Sequence, residues 1–175
     1  MHIPASKNPF TNTNINPGVN PYIHPDFNGI LNPRLNAQIN PNFNANLNPN
    51  LNSSINPKFN SFVNPRLNAS ISPILNVRLN PMLNRAINPS ISVNESLLFF
   101  YNLHNSVVAF AVFNGAGGIV LFDANNVNIA FGVPGIDNSI IIFDNENSWI
   151  GYLIKHTFEG YLYFDRRSEW IGFAA

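Results

Sequence analysis

The residues best suited to chemistry are three aspartates. Asp123, Asp144 and Asp165 each follow a phenylalanine, recur at one constant spacing, and share their place with Asn102. A working acid–base pair needs two carboxyls in unlike environments. Four equivalent positions in four equivalent contexts point instead to a turn role, in which a short polar side chain accepts N–H groups. His2, His24, His104 and His156 show no ligand spacing, and no carboxylate set beside them completes a zinc site. Cysteine is absent, which removes disulfides and thiolate ligands. The run NGAGG at 114–118 lacks the lysine and the following helix of a phosphate loop and reads as a turn. No G-x-S-x-G elbow occurs. The expectation is a protein that is not an enzyme, with no catalytic residue, metal ligand or cofactor.

The aspartates belong to a repeat. YNLHNSVVAF (101–110), FDANNVNIAF (122–131), FDNENSWIGY (143–152) and FDRRSEWIGF (164–173) follow each other at equal intervals without a slip. Each unit reads as a β-hairpin: a short apolar strand, a polar turn, and a second strand ending on an aromatic residue. Turns are expected near 102–106, 123–127, 144–148 and 165–169. First strands such as IIIF are apolar on both faces and need cover on both sides. Simple alternation puts Ile129, Ile150 and Ile171 on the face of the closing aromatics. It puts Trp149 and Trp170 on the other face with Gly151 and Gly172, each indole lying over the gap its glycine leaves. An eight-stranded, pseudo-fourfold all-β module follows, spanning 95–175. Exposed tryptophans would mark a binding face, and buried ones a scaffold.

The aromatic–Asp turns followed by WIGY and WIGF resemble the four-fold β-flower proteins, a small bacterial family of four sequential hairpins about a pseudo-fourfold axis. The resemblance covers residues 97–175. It implies the hairpin architecture and no activity, so it transfers no functional residue. YNLHNSVVAF departs most, with Asn102 for aspartate and Val107 for tryptophan.

Residues 1–94 follow another rule. Eleven prolines, from Pro9 to Pro89, stand at every eighth position. The octad reads Ø-N-P-x-Ø-N-x-x, with Ø apolar, as in LNPRLNAQ (31–38) and INPKFNSF (55–62). So regular a series of prolines excludes a long helix and a central strand. Asparagine before proline is held extended, and its side chain caps a one-turn segment. The array is therefore a solenoid-like stack, with apolar residues lining a core and asparagines in ladders, or a disordered tandem expansion. The variable x positions beside near-constant Ø and Asn positions favour the ordered form.

Charge divides with the repeats. Residues 1–92 hold six bases against Asp26, a net +5, and residues 93–175 hold three bases against eight acids, a net −5. The halves should attract each other, or those of neighbouring copies. The bases are too scattered for a nucleic-acid partner. No stretch reaches membrane-spanning length. The start has no apolar signal core, so the cytoplasm is the default compartment, with non-classical export as the alternative. The expected role is a structural or self-assembling protein, a homo-oligomer or filament, with the β module as cap or docking head. The alternative is an interaction module for another protein, carried on a flexible Asn/Pro-rich tether.

Overall fold

A computed structural model describes all of residues 1–175. The eight strands are β1 (Leu98–Asn102), β2 (Val107–Phe113), β3 (Ile119–Phe122), β4 (Asn128–Pro134), β5 (Ile140–Asp144), β6 (Trp149–Lys155), β7 (Tyr161–Asp165) and β8 (Trp170–Ala174). They pair antiparallel in chain order, and β1 pairs with β8 to close a barrel. The four expected hairpins are present, and the longest helical piece between them is the short turn Ile136–Asn138.

Side chains sort onto two faces. Odd strands give the interior large residues, Leu98 and Phe100 on β1 or Ile140 and Ile142 on β5. Even strands give it mostly small ones, Ala109 and Ala111 on β2 or Ala130 on β4, with Leu153 on β6 the exception. That alternation fills a narrow barrel. Phe100 meets the Tyr163 ring at 5.8 Å across the intervening β8, as side chains on a concave face do. The outer face carries four stacked cross-strand pairs: Tyr101–Phe173, Phe110–Phe122, Phe131–Phe143 and Tyr152–Phe164, with ring centroids 5.0–5.6 Å apart. A bare barrel would expose these rings to water.

The array supplies the cover. Ile15, Leu47, Ile55, Leu79 and Ile87 join the outer aromatics in one core. Many of the array asparagines link successive turns. Asn40 Oδ1 accepts from the Asn42 N–H at 2.9 Å, and its Nδ2 donates to the Pro33 carbonyl at 2.7 Å. Asn56 and Asn64 do the same. Asparagine thus caps the turns as expected, and His24 at an asparagine position accepts from Asp26 N–H through Nδ1.

The course of the array departs from expectation. It neither stands free nor hangs as a tether, and the barrel lies within its circuit instead of beyond its end. Ile15 lies by Phe158, Leu47 against Gly135, and Leu79 by Val112 and Asn114. These array positions advance evenly, four octads at a time. The barrel loops they meet, 156–160, 135–139 and 114–118, step back by one hairpin unit at a time. Four octads therefore cover one hairpin unit. The two ends of the array meet where His2 N–H donates to the Pro89 carbonyl. Two of the array's bases meet acids of the barrel half within the chain, Arg34 pairing with Glu169 and Arg66 with Glu146.

Candidate functional site

Asp144 Oδ1 accepts the N–H groups of Glu146 and Ser148 at 2.9 and 2.8 Å. Asp123, Asp165 and Asn102 each accept the equivalent pair. Each turn places a left-handed residue three positions on: Asn105, Asn126, Asn147 and Ser168. The four positions lie in four separate turns, and the structure brings no two of them together as an acid–base pair. No three His, Asp or Glu side chains converge where a metal ion could sit.

The tryptophans do not cover the glycines. Each even strand carries a bulge at Val108, Ile129, Ile150 or Ile171, so the register steps by one. Trp149 then pairs with Phe143 and Trp170 with Phe164, on the outer face. The bulged isoleucines turn to solvent, 36–41 % exposed. Each indole N–H donates to the carbonyl of the glycine two residues on, at 3.0 Å from Trp149 and 2.7 Å from Trp170. The glycines are small because a neighbouring strand is close: a Cβ on Gly151 would lie 2.5 Å from the Phe164 carbonyl oxygen, and one on Gly172 would collide with that of Tyr101. Trp149 is buried, and Trp170 is half-buried under the His24 ring at 4.9 Å.

Burial accounts for the perturbed ionisable groups. His156 accepts the Phe158 N–H at Nδ1, its Nε2 has no partner, and desolvation pushes its pKa down to about 4. Burial pushes Tyr163 up to about 12 and raises Tyr101 and Tyr152 as well. Tyr152 donates to Ser168 Oγ at 2.7 Å, and Ser168 donates to Asn40 Oδ1 at 3.1 Å, tying barrel to array. The Asp165 carboxylate adds a smaller upward push on Tyr152 and Tyr163.

The surface is where the molecule is unusual. The apolar residue before each Asn-Pro faces the barrel. The other apolar residue of the octad, from Val19 through Phe27 and Leu35 to Ile91, faces solvent at every eighth position. Its members are 49–76 % exposed, with Phe27, Phe43 and Phe59 all above 70 %. Sequence reasoning treated both positions as core. The signal was present: barrel-facing positions hold only Ile, Leu and Val, and the phenylalanines gather in the other series. Two hollows also sit where the array crosses the hairpin turns, one walled by Trp149, Asn42 and Arg166 and one by Asn128, Phe131 and Ile74.

Fold and surface together define a belted β-barrel, eight strands of four sequential hairpins girdled by a turn-repeat array with an apolar outer row. No protein-family profile, curated protein or solved structure matches the chain.

Proposed function

We propose that this is a non-enzymatic structural protein that assembles with copies of itself through the outer apolar row of the belt. The row carries the reading. Its ten members run around the barrel, about four to each hairpin unit, so at roughly 100 Å² per side chain each side shows on the order of 400 Å² of apolar surface, as large as the biggest patch of an ordinary monomer. Two adjoining sides together approach the roughly 800 Å² that a standard interface takes from each partner. The fold has no need of these residues, because the barrel-facing series already covers the aromatics. The belt backbone is satisfied by its own asparagines, so docking desolvates few unpaired polar groups. The barrel is then the hub on which the row is displayed. The aromatic–Asp turns and the WIGY and WIGF motifs resemble those of the four-fold β-flower proteins, and that resemblance implies the hairpin scaffold alone.

Sedimentation of the full chain tests the reading, beside a variant carrying Phe27→Ser, Phe43→Ser and Phe59→Ser. All three side chains point away from the barrel, so the fold is retained. The wild type should sediment well above its 19.5 kDa chain mass and the variant should move toward it. A monomeric wild type, or a variant with unchanged mass, refutes self-assembly through this row.

A further inference from the structure

The two crossings of array over hairpin turn are sister sites, four octads apart in the array and one hairpin unit apart in the barrel. At the first, Trp149 fills the space outside Tyr152, and the Arg166 guanidinium lies 5.4 Å from the centre of its ring. At the second, Asn128 stands for Trp149, Asn145 for Arg166, and Phe131 for Tyr152. Asn128 reproduces the indole's hydrogen bond: its Nδ2 donates to the Ala130 carbonyl at 3.1 Å, as Trp149 donates to that of Gly151. It does not reproduce the indole's volume. A cleft of about 360 Å³ there is lined by Phe131, whereas the larger hollow at the sister site, about 600 Å³, is lined by the indole and does not reach Tyr152. Its apolar walls are Pro65, Pro73, Ile74, Leu75 and Phe131.

We propose that this cleft is a binding site for a free, neutral, planar aromatic molecule of indole size that carries an N–H. Its volume is within the range of small-ligand sites, and ring-sized apolar cavities take up small aromatic molecules. The amides around it spend their N–H groups on backbone, Asn128 on Leu121 and Ala130 and Asn145 on Asn128, so their oxygens remain to accept. Arg66 at the edge is already paired with Glu146 at 2.6 Å, which favours an uncharged guest.

Calorimetric titration of the full chain with indole tests the site. Wild type should bind one indole per chain. Asn128→Trp fills the space from within and should weaken binding about tenfold or more while raising the melting temperature. Ile74→Glu alters a side chain 83 % exposed, so the fold is kept, and it should weaken binding to a similar degree. If Asn128→Trp fails to fold, Ile74→Glu decides alone. No heat with wild type, or wild-type affinity in the folded variants, overturns the proposal. So does tighter binding of N-acetyltryptophanamide than of indole, which would assign the cleft to a partner's side chain instead of a free ring.

Discussion

Leu47 and Leu51 are close in sequence and differ in everything about their surroundings. Leu47 is 2 % exposed and sits in the outer core against the β4–β5 loop, so close that a Cβ on Gly135 would lie 2.9 Å from its Cδ2. Leu51 is 71 % exposed. Replacing each with alanine removes the same atoms. For Leu47 the loss is transfer free energy plus a cavity that the barrel wall, pinned by its hydrogen-bonded ladder, closes poorly, about 2–5 kcal/mol. At roughly 2–4 °C per kcal/mol for a chain of this size, a loss of about 3 kcal/mol lowers the melting temperature by about 10 °C. For Leu51 the loss is within about 0.5 kcal/mol, a degree or two. The melts are made in the Phe27→Ser, Phe43→Ser, Phe59→Ser background, so that association does not contribute. Array and barrel should also unfold in one transition, since they share a core. Equal shifts for the two alanine variants, or a silent Leu47→Ala, would show that the array does not clasp the barrel and would remove the basis for an outward-facing row.

The remaining predictions concern the barrel. Gly151→Val and Gly172→Val should each destabilise the full chain by about 1–3 kcal/mol or more, because the added carbons meet neighbouring backbone that cannot move aside. An unchanged melt for both would mean the strands can part at these points. His156 is neutral and enclosed in the fold, with its pKa lowered from 6.5 to about 4. Below the unfolded value the unfolded chain binds a proton that the folded chain refuses. Stability is therefore full above 6.5, falls as the pH drops toward about 4, and changes no further below it on this account. The loss is on the order of 3 kcal/mol, read as the difference in urea stability between neutral pH and a pH just above the folded value. His156→Gln should lack that component, and an identical pH profile in both proteins would contradict the burial argument.

How much of this was legible depended on whether the cause was local. Hairpins could be placed from the constant spacing because turn chemistry is local: an Asp or Asn at a strand end captures two N–H groups wherever the barrel stands. The asparagine caps of the array were legible for the same reason. Strand parity failed at one point per unit, where a bulge at Val108, Ile129, Ile150 or Ile171 adds a residue that no alternation pattern announces. The tryptophans consequently changed faces. The inward and outward apolar rows of the octad could not be separated by period, since both recur once per octad. Composition separated them, with aliphatic residues toward the barrel and phenylalanines away. The cleft at Asn128 was out of reach, because it is a difference between two crossings and the crossings exist only once the belt is wound.

The belt also accounts for the uneven decay of the hairpin motif. An indole on the outer face needs a roof. His24 roofs Trp170, and Arg166 with the array near Asn42 closes over Trp149. One step of four octads further on, the array near Ile74 passes over Asn128. A further step would bring the segment over Val107 to about residue 106, where the chain has already become the barrel itself. Val107 therefore stands where a tryptophan would lack that cover, and its smaller side chain packs on the outer core half-buried. Asn128 is the one position of the four that has the roof and lacks the indole, which is why a walled cleft lies there and not an open patch. A belt of four octads per hairpin also explains why neither period slips. An inserted residue in either half would carry every later barrel-facing residue off its aromatic pair, so the two repeats hold each other in register.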